Sequence, residues 1–270
     1  MDYQIPPVQR LSRDLAQAAA TLSDDEARFL VDAYYQMQDG RIRAEGQIRS
    51  IEKGETGEPH VVLSWLSEQS RAMEGQIKRA LDKYVGGHVM GSWFEGVYGI
   101  GPVIASGLVA HIDINRAPTV GHIWRFAGLD PSMKWEKKTK RPWNAQLKVI
   151  CWKAGQSFMK FHKEDQCFYG HFYREQKDKL IARNESGEFN ARSAEILSAK
   201  NFNKSTDAYK AYSTGKFPPG HIDAMARRAA VKLFLSHMHA EMYRRILKRE
   251  PPFPYPIAIL GHAHMIDAPE

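Results

Sequence analysis

The residues with the most evident chemical capacity lie in the run Trp93-Phe94-Glu95-Gly96-Val97-Tyr98-Gly99-Ile100-Gly101-Pro102-Val103-Ile104-Ala105-Ser106-Gly107-Leu108. Apolar residues lead into a glycine–hydrophobic–glycine turn, and Pro102 suits a first helical position. Gly99 and Gly101 permit backbone angles closed to other residues and let the main chain come close to a ligand. N–H groups at such a turn and helix start can face a phosphate oxygen. The pattern is that of a helix-hairpin-helix, whose backbone contacts place a protein on nucleic acid without reading sequence. Ala105 and Gly107 let the two short helices pack closely. Gly99, Ile100, Gly101 and Val103 are the candidate phosphate-contacting positions.

A second feature follows directly. Lys134, Lys137, Lys138, Lys140 and Arg141 fall within eight residues, with Trp135 and Trp143 interleaved. Cationic heads neutralise phosphates, and an indole can stack on a base; the other reading of the two tryptophans is packing at a joint. The chain of 270 residues carries a net charge of +7. That charge is uneven. Residues 1–96 hold 11 basic and 15 acidic side chains, whereas residues 134–183 hold 13 basic and 5 acidic. The excess therefore sits just behind the glycine turn, where it favours a polyanionic partner over a merely solvated face. In the last strong helix Arg228 and Lys232 share a face, with Arg227 offset by one residue. These three form either a basic stripe or a solvated face. Met225, Ala229, Leu233 and Met242 are the expected core residues opposite them.

Positioning these groups requires helices. Ser23 is a candidate N-cap before the acidic start Asp24-Asp25-Glu26. Apolar residues from Phe29 through Ile51 recur at roughly helical spacing, with a break over residues 54–59. A second helix is expected from Val61 to Val85, with Leu63, Leu66, Met73, Ile77, Leu81 and Tyr84 along one side. The two make an antiparallel helical hairpin. Further helices are expected over Asn144–His162, Cys167–Arg183 and Ile222–Lys248, with one or two short ones within 188–216. No convincing set of strands is present, so the fold class is all-α. The organisation reads as a helical hairpin or coiled-coil-like connector over 1–86, able to oligomerise. A helix-hairpin-helix domain over 87–250 and an extended Pro-rich tail over 251–270 follow.

Several chemistries find no support. Two cysteines, Cys151 and Cys167, are too few for a disulfide scaffold. His237 with His239 and His262 with His264 have poor spacing for a metal site, and although His237 and Glu241 at i,i+4 could share a face, ordinary surface or interface histidines are expected. No nucleotide-binding glycine loop or Gly-x-Ser-x-Gly elbow occurs. No segment can span a bilayer and no signal peptide is evident, so a cytoplasmic protein without a membrane is expected. No cofactor is expected, with divalent metal entering only if the chain is catalytic.

From about Glu68 to Met242 the chain resembles the C-terminal half of the Piv-type DNA invertases and related RNA-guided insertion-sequence transposases. The resemblance rests on Gly99-Ile100-Gly101-Pro102 with Ala105, on Phe126-Ala127-Gly128-Leu129-Asp130-Pro131, and on the helix Asn144–Gln156. The closing helix His221–Phe234 and the connector before Gly86 add to it. That family also carries an N-terminal RuvC-like domain with four separated acidic residues; the helical pattern before Gly86 and the shortage of strands lead us to expect no such domain within these residues. The family uses a serine nucleophile a few residues after its Gly-Leu-x-Pro element. Here Ser132 follows Pro131 immediately, which makes it the catalytic candidate by proximity alone. The resemblance implies a nucleic-acid-binding protein, with DNA as the first partner, structured RNA as the alternative, and self-association through the N-terminal helices. An active recombinase using Ser132, or an accessory protein working within a complex, is the alternative function.

Overall fold

The computed structural model describes residues 9–54, 60–252 and 266–269. Among them every regular element is helical, as composition and periodicity imply. Two compact units emerge: residues up to Gly96 together with Ile100–Asp113, and Val97–Gly99 together with Ile114 onward.

The first unit contains α1 (Arg13–Ala18), α2 (Asp24–Lys53), α3 (Val61–Gly87), α4 (Gly91–Glu95) and α5 (Pro102–His111). Helix α2 begins with a full capping box: the Ser23 N–H donates to Glu26 Oε2 at 2.8 Å, and the Glu26 N–H donates to Ser23 Oγ at 3.4 Å. Such a box satisfies orphan donors at the helix start, and the acidic first turn complements the helix dipole. Helices α2 and α3 form the expected hairpin, and α5 packs on both. Ser106, fully buried on α5, donates through Oγ to the Leu81 carbonyl at 3.0 Å. At the other end of α5, Arg28 donates to the Ala110 carbonyl, a cation placed where the dipole is negative.

The hairpin seam differs from the apolar stripe expected for α3. Ile77, Leu81 and Tyr84 are buried, but Leu66 and Met73 are exposed. The seam continues instead through Ser67, Ser70 and Glu74. Each of Leu66 and Met73 precedes a seam residue by one position, which turns it about 100° around the helix. Glu74 is tolerated inside because Arg41 Nε lies 2.6 Å from its Oε1. Arg41 also pairs with Glu45 at 3.1 Å. On α2, Phe29 and Ile42 point outward as well, while Ala27, Val31 and Ala44 are buried. Residues 55–59 of the expected break lie outside the described residues.

The second unit contains α6 (Val120–Phe126), α7 (Ala145–Lys160), α8 (Phe168–Glu185), α9 (Asn190–Ala199), α10 (Asp207–Ser213) and α11 (Pro219–Met242). Helix α11 runs on into a π-helical turn, Tyr243–Leu247. Its core is an aromatic triad from three helices. Phe158 and Tyr169 have ring centroids 5.0 Å apart, Phe158 and Phe234 5.5 Å, and Tyr169 and Phe234 5.3 Å. Rings at such separations add to the area they bury. The expected core residues Met225, Ala229 and Leu233 are only half-buried. The buried face of α11 instead runs through Ile222, Ala226, Ala230, Phe234 and Met238, at steps of four; Met242 continues it, as expected. Of the expected Pro-rich tail, residues 253–265 and 270, including His262 and His264, lie outside the described residues.

Candidate nucleic-acid interface

Helix α6 stops because Gly128 adopts φ +65, a left-handed conformation suited to glycine at a helix C-terminus. The Leu129 N–H donates back to the Trp124 carbonyl at 2.8 Å. The chain then leaves in a loop and returns at Asn144, whose N–H donates to the Phe126 carbonyl at 2.8 Å. Asn144 also caps α7, its Oδ1 accepting from the Leu147 N–H at 2.9 Å. The basic loop is thus closed at its base and displays its cations outward. Lys134, Lys137, Lys138, Lys140 and Arg141 are all exposed. Trp135 is exposed too, its Nε1 donating to the Thr139 carbonyl at 2.8 Å, with the Arg141 guanidinium 5.3 Å from its ring centre. Trp143 instead covers Gly128, where an added Cβ would stand 2.8 Å from the indole Cγ. One tryptophan therefore faces solvent and the other packs at a joint.

Behind the loop, α7 and α11 frame a cleft of about 180 Å³. Helix α7 contributes Lys148, Cys151, Trp152 and Gly155, and α11 contributes Ala224, Arg227, Arg228 and Val231. Both sets have the spacing i, i+3, i+4, i+7, one helical face each. Gly155 lets the two helices approach: a Cβ there would lie 3.1 Å from Val231 Cγ2. The cleft is cationic. Burial lowers the Lys148 ammonium from its ordinary value, and Arg228 and Arg141 lower it further. Burial likewise lowers Lys232, with Asp130 opposing and Arg228 adding to the effect. Lys148 Nζ and Lys232 Nζ each stand 4.2 Å from an indole centre, over Trp143 and Trp124 respectively. Cys151 is a buried neutral thiol, its pKa pushed up to about 12 by burial.

The three expected cations of α11 have separate fates. Arg228 is exposed and lines the cleft. Lys232 is half-buried over Trp124, whose Nε1 donates to the Lys232 carbonyl at 3.2 Å. Arg227 Nε lies 2.7 Å from Asp223 Oδ2, a charge contact without hydrogen-bond geometry. Asp223 also receives the Tyr173 hydroxyl and Lys177 Nζ, the latter at 3.1 Å. Arg227 therefore belongs largely to the structure of the unit. Lys148 and Trp152 were missed from sequence; their spacing on α7 was legible, but α11 as the facing wall was not.

The glycine turn divides its roles. Gly99 has φ +93 and its carbonyl accepts from Ser157 Oγ. Gly101 lies at φ −83 and ψ 172, extended backbone open to any residue, so its conformation does not require glycine. An added Cβ at Gly101 would meet nothing within 4 Å, which leaves the approach to the main chain open. The Ile100 and Val103 side chains are buried, so only their main chain can serve a ligand. Within the first unit the start of α5 borders a cavity of about 500 Å³, lined also by Lys83 and by Asp82 and Glu95. The two carboxylates there oppose an anion.

Ser132 is exposed, and its Oγ and N–H donate to Asp130 Oδ1 at 2.7 and 2.9 Å. These bonds hold the Asp130 carboxyl below its usual range, which makes it a weak base for that hydroxyl. The histidines are engaged elsewhere. His237 binds the Tyr169 hydroxyl at 2.9 Å and the Ile266 carbonyl at 2.8 Å, and His239 binds the Ala117 carbonyl at 2.9 Å. Glu241 pairs with Arg244 and Arg245. Among the described residues no group of three or more His, Cys, Asp or Glu side chains could hold a metal ion, and no helix is long and apolar enough to cross a membrane.

Among the described residues the second unit thus combines an exposed basic loop with a cleft that Lys148 and Arg228 line from separate helices. Comparison with protein families bears on it: residues 92–170 match the model of the Transposase IS116/IS110/IS902 family, the C-terminal domain of IS110/Piv-type transposases. The match takes in the glycine turn, Ser132, the basic loop and α7, and ends before α11. No curated protein and no solved structure matches the chain.

Proposed function

We propose that the protein binds DNA for transposition or recombination through the cationic face of its second unit. The basic loop supplies Lys134, Lys137, Lys138, Lys140 and Arg141, the cleft behind it supplies Lys148 and Arg228, and Lys232 adds its charge from over Trp124. The observation that carries this reading is the convergence of Lys148 and Arg228, from separate helices, on one cleft beside a family-matched basic loop. Burial, with Arg228 and Arg141 adding to it, lowers Lys148, and groups perturbed in this way cluster at functional sites. The main chain at Gly99, Gly101 and the first turn of α5 is a further phosphate contact in this reading, weakened by Asp82 and Glu95. The test is an affinity series across salt. Replacing Lys137, Lys138, Lys140 and Arg141 by Ala lowers the slope of log K against log salt by about 0.9 per phosphate contact removed. Unchanged affinity and slope would remove the loop from the interface.

A second reading concerns self-association. Val62, Trp65, Leu66 and Met73 form an exposed apolar stripe on the outer side of α3, and a second copy of the chain would cover it. Light scattering on the Leu66→Glu, Met73→Glu variant tests this; an unchanged mass would argue against it. Catalysis by Ser132 remains the alternative for the family-matched domain. Covalent capture on a nicked substrate that disappears in Ser132→Ala would establish it.

A further inference from the structure

The cleft between α7 and α11 has a feature that phosphate binding alone leaves unexplained. Trp152 stands at its edge, 54% exposed. The ring already bears one cation, Lys153 Nζ lying 5.7 Å from its centre. Inside, Gly155 and Ala224 offer no bulk, and Cys151 is neutral. Leu129, Val231, Gly155 and Ala224 give the cleft an apolar side, while Lys148, Arg227 and Arg228 stand in the same lining. A perfect duplex presents phosphates and sugars to a surface, and cations suffice for those. A cationic slot with an apolar side and an exposed indole suits a planar π-face joined to a phosphate.

We infer that this cleft receives one unpaired nucleotide, its base against Trp152 and its phosphate between Lys148 and Arg228. The volume supports one ring. About 180 Å³ falls below the roughly 300–1,000 Å³ of ordinary ligand pockets. It suits a base whose sugar and phosphate stay outside among the cations. Stacking on an aromatic ring tolerates any base, so the cleft discriminates unpaired from paired rather than one sequence from another. Taking a base out of a stack costs least where it is already unpaired, so the cleft favours junctions, bulges and displaced strands. The inference rests on the proposed function, since it names which nucleic-acid feature the same face takes up.

The test uses the full chain and three labelled probes in DNA and in RNA form: a perfect duplex, the same duplex with one bulged nucleotide, and that bulge made abasic. The base-bearing bulge binds roughly 10- to 100-fold tighter than the other two, the range set by one stacked base. Trp152→Ala erases the difference while perfect-duplex affinity is kept, and Trp152→Phe restores part of it. Trp152 is an exposed side chain, and an unchanged circular dichroism spectrum confirms that the variants fold. Equal binding of all three probes by the wild type, with a steep salt dependence, overturns this inference and leaves the proposed function standing. Equal weakening of all three by Trp152→Ala also overturns it. Failure of every probe to bind overturns both.

Discussion

Lys148 Nζ lies 4.2 Å from the centre of the Trp143 ring, and the same ring lies over Gly128. One indole therefore both closes the turn that launches the basic loop and carries a cation of the cleft behind it. The backbone of the loop and the charge of the cleft are mechanically joined there.

That relation makes Gly128 a sensitive position. Gly128→Ala would put a Cβ at 2.8 Å from Trp143 Cγ in a left-handed conformation, φ +65. The conformation alone costs about 1–2 kcal/mol, and displacement of the indole adds to it. Thermal unfolding shows a clear loss of stability. Gly101→Ala is the contrast: its φ of −83 and open surroundings leave stability unchanged. If Gly101→Ala still weakens DNA binding, the close main-chain approach at the turn is real; unchanged affinity removes the turn from the interface.

Arg228→Ala should act on binding without acting on the fold, because the side chain is exposed on α11. Affinity falls to a similar degree for unrelated sequences, and the salt slope drops by about one, as for the loss of one phosphate contact. Arg227→Ala should instead lower stability, because it leaves Asp223 with fewer partners in a partly buried site. Parallel unfolding and binding curves separate the two neighbours; identical behaviour would contradict the distinction.

Glu74→Ala should destabilise the first unit. Its carboxylate is buried in the hairpin seam and pairs with Arg41, so the substitution strands a half-buried guanidinium. Breaking such a pair costs about 3 kcal/mol, softened here by the remaining contact of Arg41 with Glu45. A chemical denaturation midpoint that does not move would show the pair to be dispensable.

Stability should decline as the medium is acidified through the histidine range. Burial, with Arg28 adding to it, depresses the pKa of His111 to about 4, and burial also lowers His237 and His239. A depressed histidine is neutral when folded and binds a proton first when unfolded. Its folded form suffers no penalty above the unfolded value near 6.5. The loss accrues as pH falls from there toward about 4. Denaturation midpoints should therefore drop between about pH 7 and about pH 5, before the carboxylates titrate. In His111→Gln the drop should be smaller; an equal drop would show that other groups carry it.

Ser132→Ala should leave binding affinity intact, since the hydroxyl is turned to Asp130. A loss of affinity measured by anisotropy would mean that Ser132 touches the nucleic acid directly.

Much of this protein was legible from local signals. Ser23 before an acidic start reads as an N-cap, and it caps α2 as part of a capping box with Glu26. Asn144 before Ala145, Gly128 at the close of α6 and the apolar periodicity mark the helices, because capping and backbone freedom are properties of a few adjacent residues. The glycine turn and basic loop were legible for the same reason, and they are the part that the family match covers. What tertiary structure decided is which face of each helix meets another. The sequence could not show that the α3 seam would pass through Ser67, Ser70 and Glu74, because Arg41, which makes that burial tolerable, lies 33 residues earlier. Nor could it separate Arg227 from Arg228, adjacent in the chain and both lining the cleft, one held by Asp223 and the other exposed. Burial and charge depend on neighbours that only the packed helices bring together.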